Sequence, residues 1–231
     1  MKKISFILLS GGIGTRMKMN VPKQFLLLGG KPTIVHVLEK LETIEQISEI
    51  IIPSPENHLF ETKRIIKSYQ FTKPIKVIEG GGTRQESTYF ALKHVTNDTV
   101  VVHEAVRPFV TKDEFMKLIN CPDENATYGL DIPFTVLEGS AYIEKNLERD
   151  KLINIQLPQK FNAKAFLAAH EQARAEGEHF TEDASLFFKY NGGKIKVLEG
   201  TEYNIKITKP LDRKIAEIIY SDFVLGRSKL S

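Results

Sequence analysis

A chain of 231 residues with 42% hydrophobic and 26% charged side chains can bury a sizeable core and is not a disordered polymer. Its formal charge of +3 is too small and too evenly spread for a nucleic-acid-binding surface, and it leaves room for a basic pocket that takes a small anion. The single cysteine, Cys121, excludes an internal disulfide and a cysteine-based metal site, and it suits a reducing, cytoplasmic compartment.

The chain opens on "MKKISFILLS", which imitates a signal peptide. The apolar run is short, and glycines, Arg16 and Lys18 follow it in place of a cleavage site, so Ile4–Leu9 reads as a first buried strand. No stretch approaches the roughly 18 apolar residues of a membrane span. Apolar spacing then predicts helices over 33–43, 56–69, 85–94 and 112–119 and strands over 49–53, 75–78 and 99–103. "TVVVH" (99–103) is a continuous β-branched run, the pattern of a strand covered on both faces. This alternation predicts an α/β fold with a mostly parallel twisted sheet and helices on both sides. Ligands in such a sheet sit beyond the carboxyl ends of the strands. The rhythm breaks over 134–158, where short alternating pieces predict a protruding β-arm with a polar tip near 145–150. Helices resume over 163–176 and 183–190, and a strand at 194–198 and a helix at 212–220 complete one domain spanning 1–231.

The first strand leads into "SGGIGTR". Ser10, Gly11, Gly12 and Gly14 can bring backbone N–H groups close to a phosphate, as an anion nest does. A tight turn that needs glycine only for geometry is the bland alternative. Arg16 and Lys23, with Pro22 fixing the approach to the lysine, favour the phosphate; alone, each reads as surface charge. The Walker pattern is absent. The dinucleotide fingerprint fails too, because Met17 stands where its third glycine belongs.

Further motifs follow in order: "GGGTRQES" (80–87), "VHEAVRP" (102–108), Arg149 eight residues before "LPQKF" (157–161), "TEDAS" (181–185) and "NIKIT" (204–208). With "SGGIGTRM" and "PKQF", this series resembles the cytidylyltransferases that activate polyol phosphates. The nearest group is the 2-C-methyl-D-erythritol 4-phosphate cytidylyltransferase family of the non-mevalonate isoprenoid route; the ribitol-5-phosphate cytidylyltransferases are its sisters. The resemblance covers about residues 4–220 and implies a Rossmann-like nucleotidyltransferase (GT-A-like) fold and a homodimer. It also implies CTP-dependent transfer of CMP to a polyol phosphate, with pyrophosphate leaving and Mg²⁺ on the phosphates.

Carried over residue by residue, the resemblance makes Arg16 and Lys23 the catalytic cations. Ser10, Gly11, Gly12, Gly14, Gly81, Gly82, Arg84 and Ser87 fall to CTP. Glu104, Arg107, Arg149, Thr181 and Lys206 fall to the acceptor, with Glu104 also open to the metal, Arg107 to support of the loop and Thr181 to capping the helix that follows. Arg149 would reach the partner subunit's site from the arm. The attacking phosphate is ionised at neutral pH and needs no base, so His103 reads as a structural strand-end residue. Without the resemblance, "GGGTRQES" reads as a glycine turn and helix cap, and Arg149 as a solvated loop arginine. His36, Met17 and Met19 read as packing or loop support.

The chain departs from the family in its acceptor half. The usual D-T-[IM]-K after a proline is missing beyond Pro133, "TPQ" has become "LPQ", and glutamates stand at Glu86, Glu104 and Glu182 in place of aspartates. Methylerythritol phosphate is the leading acceptor and ribitol or another polyol phosphate the rival. A catalytically silent nucleotide-binding regulator is the reading from another class, and the retained Arg16, Lys23, Arg149 and Lys206 argue against it.

Overall fold

The computed structural model describes residues 2–11 and 22–224. The expectations placed on Gly12, Gly14, Arg16, Met17 and Met19 therefore fall outside the described residues. β1 (Ile4–Leu9) is buried along its whole length. Its Ile4, Phe6 and Leu8 enter one core cluster and its Ile7 and Leu9 the other, as the two-residue period of a strand between two helical layers requires. A short hairpin, β2 (Leu27–Leu28) and β3 (Lys31–Pro32), leads into α1 (Thr33–Glu42). There follow β4 (Ile47–Ser54), α2 (Leu59–Ser68), β5 (Ile75–Glu79), α3 (Arg84–Leu92), β6 (Thr99–Glu104) and α4 (Lys112–Ile119). β6 is buried throughout, as its β-branched run predicts.

Then come β7 (Ala126–Asp131), β8 (Leu137–Gly139), β9 (Ile143–Asn146) and β10 (Ile153–Asn162). α5 (Ala163–Ala175), α6 (Asp183–Asn191), β11 (Lys196–Glu199) and α7 (Pro210–Val224) complete the described elements. The main sheet has seven strands in the order β11-β7-β10-β6-β1-β4-β5. β10 runs antiparallel to both its neighbours, and the other pairings are parallel. The chain steps outward from β1 to β4 on one side and from β1 to β6 on the other. The strand ends around β1 therefore form a topological switch point, where an open α/β sheet holds its ligand. α1, α2 and α4 contribute Ile34, Ile65 and Phe115 to one core; α3, α5 and α6 contribute Leu92, Phe166 and Phe187 to the other.

The expected arm over 134–158 divides in the structure. Its outer part is a two-stranded hairpin, β8 with β9, followed by a single turn of 3-10 helix at Arg149–Lys151. From Ile153 onward the chain enters the main sheet as β10. The sequence hid this strand because it buries polar side chains: Gln156, Gln159 and Lys160 are all under a tenth exposed. Each has hydrogen-bond partners. Gln156 donates to the Thr201 carbonyl, Gln159 to Thr127 and Glu182, and Lys160 to the Cys121 carbonyl. Its partner β7, "ATYGLD", was also absent from the expected elements, since Gly129 and Asp131 dilute the strand pattern.

Among the described residues no helix is long and apolar enough to cross a membrane.

Candidate active site

Glu104 ends β6 and is only 5% exposed. Three cations converge on it: Lys206 Nζ at 2.8 Å, Arg107 Nε at 3.2 Å and Arg84 Nε at 3.3 Å. Burial pushes the carboxyl upward, but Lys206, Arg84 and Arg107 outweigh it and hold it down to about 2, fully ionised at neutral pH. Arg84 also meets the buried Asp183 carboxylate at 2.8 Å. Lys206 and Arg107 keep N–H groups beyond those that meet Glu104, and these can serve an anionic ligand.

These groups come from four places in the chain. Arg84 begins α3, Glu104 and Arg107 stand at the end of β6 and just beyond it, Asp183 begins α6, and Lys206 lies in the extended stretch before α7. Arg107 donates a further hydrogen bond to the Asn204 carbonyl at 2.8 Å, tying the β6 end to the "NIKIT" stretch. Arg107 is therefore a brace as much as a ligand-facing cation; its side chain is 14% exposed and that of Lys206 is 39%.

Arg84, Glu104 and Lys206 of this cluster line a cleft of about 450 Å³, with Arg107 and Asp183 packed behind them. The turn Gly80-Gly81-Gly82, which leads into Arg84, and Gly11, just past β1, line the same cleft. Gly81 has to be glycine: a Cβ there would lie 2.2 Å from Glu86 Cβ. Glu86 is fixed because Thr83 and Glu86 form a reciprocal capping box at the start of α3. Ser87 is buried under this turn. Its hydroxyl accepts from Gly81 N–H at 3.1 Å and donates to the Thr83 carbonyl at 2.9 Å. It is the joint between the glycine turn and the helix, and a Cβ on Gly11 would come within 3.8 Å of its Oγ. Ser10 is also buried, and its hydroxyl has no hydrogen-bond partner among the described residues.

Of the remaining expected residues, Lys23 opens the short 3-10 helix Lys23–Phe25, whose position Thr33 secures by donating to the Lys23 and Gln24 carbonyls. Thr181 is exposed in the bend before α6. Arg149 lies on the arm with its side chain about half exposed and Asp150 beside it at 3.7 Å, so it does not join the cleft of its own chain. His103 is buried, packs edge-on against Phe115 and hydrogen-bonds the Arg107 carbonyl at 3.0 Å. Burial lowers it to about 3, so it is neutral and serves as a strut. His36 likewise hydrogen-bonds the Leu28 carbonyl and packs against Tyr220.

Two groups escaped the sequence reading. Pro55, Glu56 and Asn57 line the cleft just past β4, where the rule that ligands sit beyond strand carboxyl ends could have placed them. Asp183 lies inside "TEDAS", but nothing in that motif says which cation it meets.

Basic residues gathered at the switch point of a doubly wound sheet mark the nucleotide-handling class of α/β proteins. The profile of the 2-C-methyl-D-erythritol 4-phosphate cytidylyltransferase family matches residues 4–222. The enzyme of that name from Halalkalibacterium halodurans is 33% identical over 94% of this chain and 97% of its own length. That from Clostridium acetobutylicum is 34% identical over 92% and 95%. The crystal structure of 4-diphosphocytidyl-2C-methyl-D-erythritol synthase from Anaerococcus prevotii superposes with a TM-score of 0.82 at 29% identity, covering 94% of this chain and 95% of that one. This chain belongs to the 2-C-methyl-D-erythritol 4-phosphate cytidylyltransferase family and is a CTP-dependent cytidylyltransferase.

Proposed function

We infer that this enzyme transfers the cytidylyl group of CTP to 2-C-methyl-D-erythritol 4-phosphate, in the synthesis of isoprenoid precursors. The observation that carries the reading is the family match across 4–222 on a chain whose motif residues Arg84, Arg107 and Lys206 meet on Glu104 at the edge of the cleft. An ionised oxygen of the acceptor phosphate attacks the α-phosphorus of CTP in line. The bond to the bridging oxygen breaks and pyrophosphate leaves with its electron pair, so catalysis is positioning plus electrostatic stabilisation. CTP would lie between the β1 end and the Gly81-Gly82 turn, with its phosphates towards Ser10 and Gly11; the motif resemblance assigns Gly12, Gly14, Arg16 and Lys23 to the same phosphates. The acceptor would lie towards Arg107, Lys206 and Thr181.

Mg²⁺ belongs to this reading as an ion carried in on the triphosphate, where it neutralises phosphate charge. Glu104 does not fit as its ligand, since both carboxylate oxygens already face cations at 2.8 to 3.3 Å. Among the described residues no group of three or more His, Cys, Asp or Glu could hold a metal. A reducing cytoplasm is the setting in which the lone Cys121 stays a thiol.

A homodimer with shared sites completes the reading. Arg149 is held out on the arm, and its planar guanidinium suits the acceptor phosphate of a partner's site.

The experiment is pyrophosphate release with CTP and a panel of polyol phosphates. Turnover with methylerythritol phosphate, and little with ribitol 5-phosphate or with UTP, is expected. Preference for ribitol 5-phosphate would transfer the enzyme to the sister branch. Lys23→Ala should lower kcat by about 100-fold or more while CTP still binds, because charge grows at the α-phosphate in the transition state.

A further inference from the structure

The first turn of α3 makes two contacts that phosphate or base binding does not require. Gln85, beside Arg84, reaches across to the loop between α5 and α6. Its amide donates to the Glu178 carbonyl at 3.1 Å and accepts from Phe180 N–H at 2.8 Å. A side chain 93 to 95 residues away in sequence thus makes a two-point clasp on main chain just before Thr181. Arg84 supplies the second contact, the 2.8 Å ion pair with Asp183 just after Thr181. Arg84 Nη2 and Asp183 Oδ2 are both buried, and neither has a hydrogen-bond partner elsewhere. Each therefore depends on the other for compensation. His170 packs behind Asp183, with Nε2 at 3.8 Å from its carboxylate. Burial lowers His170 to about 4, so it is neutral and Arg84 is the cation that balances Asp183. Through Nε the same guanidinium meets Glu104.

We propose that Asp183 and Gln85 are positioning residues of the transfer reaction, Asp183 by orienting the Arg84 guanidinium and Gln85 by clasping the Glu178–Phe180 main chain. Together they join the nucleotide wall of the cleft to the segment that presents Thr181. The proposal rests on the assignment of that wall to CTP and of Thr181 to the acceptor. The two residues divide the labour. Asp183 acts through a cation in the cleft, so its loss falls on the chemical step. Gln85 acts through backbone next to Thr181, so its loss falls on acceptor binding.

The test is a kinetic cycle with separate substrate titrations on the wild type, Asp183→Asn, Arg84→Gln, their double variant and Gln85→Ala. Asp183→Asn keeps the shape and removes the charge. It should lower kcat by about 30-fold in the wild type, yet change the Arg84→Gln enzyme by less than about threefold, because a residue acting through Arg84 has nothing left to orient. Similar fold losses in both backgrounds would overturn the role of Asp183. Gln85→Ala, at a helix start with no buried charge, keeps the question open to decision if the Asp183 variant fails to fold. It should raise the acceptor KM about tenfold with kcat and CTP affinity unchanged. An unchanged acceptor KM, or equal weakening of both substrates, would overturn the clasp. Failure of the cleft assignment looks different: the wild type itself would release no pyrophosphate.

Discussion

The cleft and the arm solve opposite problems. In the cleft, Glu104 is 5% exposed and its charge is answered within the chain by Arg84, Arg107 and Lys206. On the arm, Tyr142 is 84% exposed and Ile143 is 73% exposed, and the hairpin that carries them packs little of its own surface. A charge cluster that is complete without a ligand is preorganised: the fold has already met the cost of bringing like charges together. An arm with bare apolar side chains is incomplete by itself, and a second copy is the partner that the shared-site reading supplies.

The largest effect is expected at Glu104. Glu104→Gln leaves three cations crowded around a neutral amide and should cost about 3–5 kcal/mol in urea unfolding at pH 7. The wild-type contribution has a defined pH range. The folded carboxyl is held at about 2, below its ordinary value of 4.5, so its stabilisation is complete above roughly pH 4.5 and is lost as pH falls towards 2. A Glu104→Gln enzyme as stable as the wild type would mean that the cations disperse into solvent and that the cluster is not preorganised.

A smaller effect belongs to the two buried histidines beside the cleft. His103 and His170 are lowered to about 3 and about 4 by burial, whereas the unfolded chain protonates them near 6.5. Below that value the unfolded state binds more protons, so stability is fullest above pH 6.5 and declines as pH falls. The expected loss is roughly 2–3 kcal/mol between pH 7 and pH 5.5, with about half of it removed in His170→Gln. Unfolding curves across this range check it, and a flat profile would show that both rings protonate without leaving the fold.

The smallest intrinsic effect is expected on the arm. Ile143→Ser with Tyr142→Ser should change the stability of an isolated chain by under about 0.5 kcal/mol, because both side chains are exposed there. The same pair should shift sedimentation from dimer to monomer and lower turnover with it. Mixing sharpens the point. Lys23→Ala and Arg149→Ala chains, each inactive alone, should regain activity on subunit exchange, since one site of the mixed dimer carries neither lesion. No recovery despite exchange would return Arg149 to its own chain.

Elements with strong local periods, and the order of the motifs, are legible in the chain before it folds. β1 and β6 were legible because a strand covered on both faces must be apolar at every position. α1 was legible because Ile34, Val37, Leu38 and Leu41 repeat at the helical period. The motif series pointed to the family because spacing along a chain survives when contacts are unknown. The remaining features depend on contacts between distant parts of the chain. β10 could be recognised only once Thr127, Thr201 and the carbonyls near Cys121 stood ready to satisfy Gln156, Gln159 and Lys160, since a buried polar group is tolerable only with its partner in place. The cluster at Glu104 draws on residues 84, 104, 107, 183 and 206, and no local pattern encodes which cation meets which carboxylate. That pairing is fixed by the strand order, which places the ends of β1 and β6 side by side and brings the starts of α3 and α6 against them.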